Sequence, residues 1–416
     1  MRIINTANRR ALDRVLALDT RIDPQFDRRV AAIVDGVRKG GDRALFAFAR
    51  RFDGVSGPIE VTRDEMIEGA AQTPAGVRRA IREAVRHIRR VAVRQVPKSW
   101  RVTVTRGVSV EQRVEPLARV GCYVPGGRFP LPSSLLMTAV PARVAGVREI
   151  FVCCPRPEPA VMTAALEAGA TRLFRIGGAH AVAAMAYGTK SLPRVDKIVG
   201  PGNRYVAVAK AIVSRTTAID FFAGPTEIVI VAASGKPDWV AADLVAQAEH
   251  DPDARSVLIT WKRDFAARVA QATRLRASGR DIVTSSLARH GAILIAKSAD
   301  EAMSIANRIA PEHLVVDRES LVRQSITAGA VFVGPYTAQA AGDYATGSNH
   351  VLPTSGAARF RGGLSAADFV RVMAVQRLTR RGLERLAPTI ISLAEAEGLR
   401  AHAESVQTRL RAPGRM

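Results

Sequence analysis

Between Phe26 and Val93 apolar side chains recur every three or four residues with few strand signals, so this stretch is predicted to be helical. From Trp100 to Val114 the period drops to two, with Val102, Val104, Val108 and Val110 in alternation, which predicts an antiparallel pair or hairpin. After Leu117 the grammar becomes strand, turn, helix. Val120 to Val124 reads as a strand ending at Pro125-Gly126-Gly127, Ser133 to Ala145 as a helix and Glu149 to Cys154 as the next strand. Met162 to Ala168 is helical again, Leu173 to Ile176 is a strand running into Gly177-Gly178-Ala179-His180, and Ala181 to Tyr187 continues as a helix.

The same alternation returns after Ala218. Glu227 to Val231, Ser256 to Trp261, Ala292 to Ala296, His313 to Val316 and Ala330 to Val333 read as strands. Trp239 to His250 and Phe265 to Leu275 read as helices, and the last fifty or so residues, from Ala366, as a helical tail with one polar face. Short apolar strands that end in Gly or Pro and alternate with helices imply parallel sheet. The expected class is α/β: two doubly wound, incomplete Rossmann-like domains with a small N-terminal arm and a helical C-terminal tail.

Length supports that division, since 416 residues exceed what one compact core usually holds. No run approaches the roughly 18 apolar residues of a bilayer span; Ser133 to Val147 is interrupted by Pro141 and Arg143. Met1 to Leu18 lacks the apolar core of a secretory signal, and Asp13 and Asp19 interrupt the positive field of a transit peptide, so an amphipathic first helix is expected. Cys122, Cys153 and Cys154 offer neither a disulfide framework nor a CxxC pair, which fits a reducing, cytoplasmic setting.

A net charge of +23 raises nucleic-acid binding as an alternative class. The arginines, however, are spread over the whole length and often sit near acids, as in Arg63-Asp64-Glu65. There is no long basic block, and an aromatic content of 5% leaves little for base stacking. The charge reads as solvated surface that can also attract an anionic dinucleotide.

Four glycine turns could admit phosphate: Pro125-Gly126-Gly127, Gly177-Gly178-Ala179, Gly200-Pro201-Gly202-Asn203 and Ala223-Gly224-Pro225-Thr226. None is GxGxxG, because Tyr205 stands where the third glycine of the Gly200 run would fall. Gln247 and His250 lie three apart near a helix end, where both side chains can face one ion. Glu312 and His313 are adjacent at a strand entry, able to divide acid and base work. Asp343-Tyr344 and Ser348-Asn349-His350 fall in a predicted polar loop, and Glu397 and His402 lie in the tail.

Taken together, these pieces resemble the histidinol dehydrogenase family, colinearly over essentially the whole chain. The resemblance is carried by Cys122-Tyr-Val-Pro-Gly-Gly127, Val195-Asp-Lys-Ile-Val-Gly-Pro-Gly-Asn203, Gln247-Ala-Glu-His250, Ala310-Pro-Glu-His-Leu314, Gly342-Asp-Tyr-Ala-Thr-Gly-Ser-Asn-His-Val-Leu-Pro353 and the tail from Glu397 to His402. It implies one zinc ion per subunit held by Gln247, His250, Asp343 and the partner subunit's His402, in a homodimer with shared active sites. L-histidinol would complete the zinc shell through its imidazole and amine, with substrate contacts at Thr226, Gln247, His250, His313, Asp343, Tyr344, His350, Glu397 and His402. It implies that His313 takes the alcohol proton as hydride leaves for NAD, and that Glu312 activates water on the aldehyde before a second NAD is reduced. NAD contacts are implied at Tyr123, His180 and Asn203.

The resemblance also implies domain limits: an N-terminal helical arm over 1–20, a first α/β domain of 21–115 with 228–365, a second of 116–227 on the NAD side, and the tail from 366 crossing to the partner. Two positions depart from the family pattern. Thr226 stands where a serine is expected, and His180 where a glutamine is expected. Either could mark a relative that oxidises another small diol, such as a sulfonated propanediol.

Overall fold

The computed structural model describes residues 1–17, 23–126, 130–222 and 224–411. The turn residues Gly127 and Ala223, and the end of the expected arm at 18–20, lie outside the described residues. In chain order the strands are β1 (Arg2–Asn5), β2 (Glu60–Val61), β3 (Trp100–Thr105), β4 (Val108–Pro116), β5 (Arg119–Tyr123), β6 (Glu149–Cys153), β7 (Arg172–Phe174) and β8 (Lys197–Val199). They continue with β9 (Ala218–Ile219), β10 (Glu227–Val231), β11 (Arg255–Thr260), β12 (Ala292–Ile295), β13 (His313–Val316), β14 (Ala330–Val333) and β15 (Val370–Leu378). The chain divides into two compact units, Met1–Gln95 with Leu117–Phe369, and Val96–Pro116 with Val370–Met416.

The larger unit holds two six-stranded sheets. The first has the order β1-β12-β11-β10-β13-β14, and every pairing in it is parallel. The second has the order β2-β7-β6-β5-β8-β9, parallel except for the antiparallel edge strand β2. Both sheets start winding at a central strand, run one way, then reverse past it, the doubly wound pattern expected. The apolar runs are explained by burial on both faces. Along β10, Val229 and Val231 join a core with Leu294, Met303 and Leu314, whereas Ile228 and Ile230 face Leu244, Leu258 and Phe265 on the other side.

Several local readings are corrected. The N-terminal arm is not purely helical: Arg2–Asn5 adds a strand beside β12, ahead of the helix Arg9–Leu16, whose Leu12 and Val15 join the first sheet's core. Four residues are too few to display a period, so only the neighbouring strand reveals this one. The helical stretch after Asp23 packs over the second sheet. Pro24–Phe48 lays Phe26, Val30, Val34 and Val37 against the helix Gly178–Tyr187. Arg63–Ala71 meets Pro159–Ala168, and Ala75–Gln95 meets Pro132–Val144. Residues 24–95 thus keep company with 117–219, whereas the resemblance grouped them with 228–365. Asp343 and Tyr344 close a short helix, Gln339–Tyr344, where a loop was expected.

The smaller unit corrects the tail. Its segment from Val370 is a nine-residue strand, β15, before the helices Arg380–Ala396 and Arg400–Arg411. β15 pairs antiparallel along β4, whose other edge carries β3 as the predicted hairpin. The Arg377 guanidinium reaches Glu111 across that pairing at 2.5 Å. Trp100, Val102, Val104 and Val372 on this sheet are exposed.

One half-buried carboxylate in the larger unit lacks compensation. Asp243, on the helix Pro237–Ala248, has no hydrogen-bond or ion-pair partner among the described residues, and burial pushes its carboxyl up to about 6. A raised acid pKa makes the cost absent below the unfolded value near 3.8 and complete above about 6. Asp243→Asn is expected to stabilise the protein by roughly 1–2 kcal/mol at pH 7, discounted for partial exposure, and by nothing near pH 3.5. Urea midpoints of both proteins across pH check this; a gap that does not widen as pH rises would refute it.

Candidate active site

β13 runs beside β10 with His313 opposite Ile228, so the residues entering the two strands, Thr226-Glu227 and Glu312-His313, stand side by side at their amino ends. A single Glu312 oxygen, Oε2, accepts the Thr226 hydroxyl at 2.5 Å and the Glu227 N–H at 2.9 Å. The Glu227 carbonyl accepts His313 Nδ1–H at 3.1 Å. The backbone of one residue, Glu227, therefore holds both candidate catalytic side chains.

The helix Pro237–Ala248 ends against this pair. Gln247 is fully buried, and its Nε2 donates to Thr226 Oγ1 at 2.6 Å. Its Oε1 is buried with no hydrogen-bond partner. A buried acceptor without a donor normally costs 1–3 kcal/mol, so this oxygen marks a place for an electron-pair acceptor. His250, beyond the helix end, is exposed. The short helix Gln339–Tyr344 supplies the other wall: Gln339 Nε2 lies 2.8 Å from Asp343 Oδ2 and 3.2 Å from His313 Nε2. His350 Nδ1 donates to the Asp343 carbonyl at 3.0 Å. Tyr344 is exposed.

Electrostatics follow from burial. Glu312 is pushed up to about 7, chiefly by desolvation; the Thr226 and Glu227 donors and the His250 charge pull it down, and Asp343 raises it. Burial lowers His313 below the ordinary imidazole value, with Asp343 opposing. His350 is lowered for the same reason and also senses His250, His313 and Asp343. These groups therefore share one electrostatic neighbourhood. Among the described residues, no three His, Cys, Asp or Glu side chains gather closely enough to hold a metal. His402 and Glu397 are exposed in the smaller unit, on either side of the turn at Gly398 between its two helices.

Sequence reasoning missed two residues here. Glu227 is buried, its carboxylate accepting the Ser355 N–H at 3.0 Å and lying 3.6 Å from Arg255, and burial holds it near 7. A charge opening an apolar strand was its only signal. Gln339 does not titrate and belongs to no motif; its spacing of four from Asp343 was the only clue.

A second group lies at the carboxyl ends of the other sheet's strands. Tyr123 ends β5, and its hydroxyl accepts the Gly178 N–H at 3.0 Å. His180 is buried with Nε2 2.7 Å from Asp53 Oδ2, an oxygen that also accepts the Gly177 N–H. The rings of Phe48 and Phe52 flank it, so His180 braces the Gly177-Gly178 turn from inside. Asn203, an exposed residue, caps the helix Arg204–Val213 by accepting the Val206 N–H at 3.3 Å. β5 and β8 are adjacent at the reversal of strand order, where open α/β sheets bind ligands beyond the strands' carboxyl ends.

Residues 19–410 match the family model described as histidinol dehydrogenase. The chain is 48% identical to histidinol dehydrogenase of Caulobacter vibrioides over 92% of both chains. It is 46% identical to the Methanothermobacter thermautotrophicus enzyme, covering 92% of this chain and 93% of that one. A crystal structure of histidinol dehydrogenase from Elizabethkingia anophelis superposes with a TM-score of 0.93 at 31% identity, covering 99% and 98% of the two chains. With the fold and the sequence in agreement along the whole length, the chain belongs to the histidinol dehydrogenase family of oxidoreductases.

Proposed function

We propose that this protein oxidises L-histidinol to L-histidine through bound L-histidinaldehyde, at a zinc site and with two NAD reduced per turnover. The observation that carries the reading is the buried chain Gln247–Thr226–Glu312, with an orphaned Gln247 oxygen at one end and a basic carboxylate beside His313 at the other.

That orphaned amide oxygen, the imidazole of His250 and the carboxylate of Asp343 are donors that suit zinc. Bound zinc would fix the substrate's imidazole and amine and so hold its alcohol in place for the base. One chain gathers an incomplete donor set, which is what a shared site requires, and the partner subunit's His402 would complete it. Exposed apolar side chains on the β3–β4–β15 sheet support a second copy as neighbour. Glu397, Tyr344 and His350 are assigned to the substrate, and Tyr123 and Asn203 to NAD, which takes hydride from the substrate carbon.

His313 performs the first proton transfer. Its Nδ1–H is committed to the Glu227 carbonyl, which leaves Nε2 as the base, and burial keeps the ring neutral near pH 7. Glu312, held near 7, takes a proton from the water that adds to the aldehyde. The second hydride then leaves and the carboxylate product forms. Thr226 keeps the hydroxyl that this chain needs, bonded on both sides, so the departure from serine preserves the site's wiring.

The direct test is NADH formation by purified protein. We expect two NADH per L-histidinol, lost on chelation and regained with zinc; a zinc-bearing protein inert to histidinol would overturn the substrate assignment. Glu312→Gln is expected to slow aldehyde oxidation by about 10²–10⁴-fold while alcohol oxidation falls far less. Equal losses in separately assayed steps would contradict that division of labour. Mixing inactive Glu312→Gln and His402→Ala subunits should restore part of the activity, because one site per mixed dimer escapes both changes; no recovery on subunit exchange would rule out sharing.

A further inference from the structure

The second sheet carries a buried ion pair that none of this chemistry uses. Lys210, on the helix Arg204–Val213, and Asp220, just past β9, are each 2% exposed, and Lys210 Nζ meets Asp220 Oδ1. The same ammonium donates to the Gly200 carbonyl at 3.1 Å, and Asp220 Oδ2 accepts the Gly200 N–H at 2.7 Å. Opposite charges therefore hold both backbone polar groups of one residue. Asp220 is itself fixed: Oδ1 accepts the Phe221 N–H at 2.7 Å, and its carbonyl accepts from Arg361, which also reaches Asp368 at 3.3 Å.

Stability alone does not call for such a pair. Desolvating two charges is expensive, and apolar residues of similar volume are often as stable or more so. What two charges add is orientation of the two peptide groups that meet at Gly200. Gly200 has φ +115°, and a Cβ there would sit 2.1 Å from the Tyr123 carbonyl oxygen, so the turn backbone lies directly on the end of β5. Three residues on, Asn203 opens the helix that carries Lys210. The clamp thus ties the end of β5, the Gly200 turn and the helix start into one rigid piece.

We infer that Lys210 and Asp220 are positioning residues for the dinucleotide, setting the spacing between Tyr123 and Asn203; the inference rests on the assignment of NAD to those two groups. Neither charge touches the cofactor. Their effect is read as cofactor affinity at unchanged zinc and substrate binding.

The test compares the full-length zinc-loaded protein with Lys210→Met/Asp220→Leu, which removes both charges together, and with Asp220→Asn, which keeps volume and one acceptor. NADH affinity comes from fluorescence titration, alongside zinc content, melting temperature and the KM for L-histidinol. We expect NADH binding weakened about tenfold to a hundredfold in both variants. Zinc content and histidinol KM should hold, and the double variant should melt close to the unsubstituted protein. A folded double variant with unchanged NADH affinity overturns the inference and leaves the pair structural. Should the double variant not fold, unchanged NADH affinity in Asp220→Asn overturns it equally. If the unsubstituted protein does not bind NADH, it is the assignment of NAD that fails, and the positioning role with it.

Discussion

The pairing of β13 with β10 is the contact on which the catalytic region depends. Each strand enters the sheet with polar residues and then turns wholly apolar, so the register that buries the apolar runs also sets Thr226 and Glu227 beside Glu312 and His313. A slip of β13 by one residue would reverse the faces of that strand. It would also separate Glu312 from the Thr226 hydroxyl and the Glu227 amide, leaving a carboxylate in a dry site with nothing to offset it. The hydrophobic core thereby specifies the placement of the reactive groups, although it touches none of the chemistry itself.

Burial is also what gives those groups usable basicity. Glu312 and Glu227 are held near 7 by desolvation, against donors that pull the other way. Two neighbouring carboxylates with raised pKa values, one bonded to its surroundings mainly through side chain and the other through backbone, form a region that resists full ionisation. Arg255 approaches only one of them, at 3.6 Å, and keeps a buried nitrogen without a partner.

The second sheet obeys the usual rule for open α/β sheets, with its turns beyond the carboxyl ends of β5, β7 and β8, whereas the first sheet presents its reactive groups at amino ends. The strands and most helices were legible because burial on both faces writes continuous apolar runs, and β13 and β14 fall where the pattern predicts them. β1, β2, β8 and β9 were not, since two to four residues carry no period and gain their identity from a neighbouring strand. β15 escaped because its partner, β4, lies more than 250 residues earlier, and the helices beyond it dominated the reading. The candidate site residues that belong to motifs were legible in the sequence, whereas Glu227, which titrates but belongs to no motif, was not. Gln339, Lys210 and Asp220 act through geometry that only the folded chain creates, and Asp53, the partner of His180, lies 127 residues from it.

Gln339 has a meaning for the whole site that its neutral side chain conceals. An amide nitrogen can only donate, so its two contacts require a bare ring nitrogen on His313 and an unprotonated oxygen on Asp343. The turned amide would offer an oxygen to both and suit neither. A residue that never titrates thus agrees with the tautomer that the Glu227 carbonyl sets, in which the His313 Nε2 lone pair is the free one.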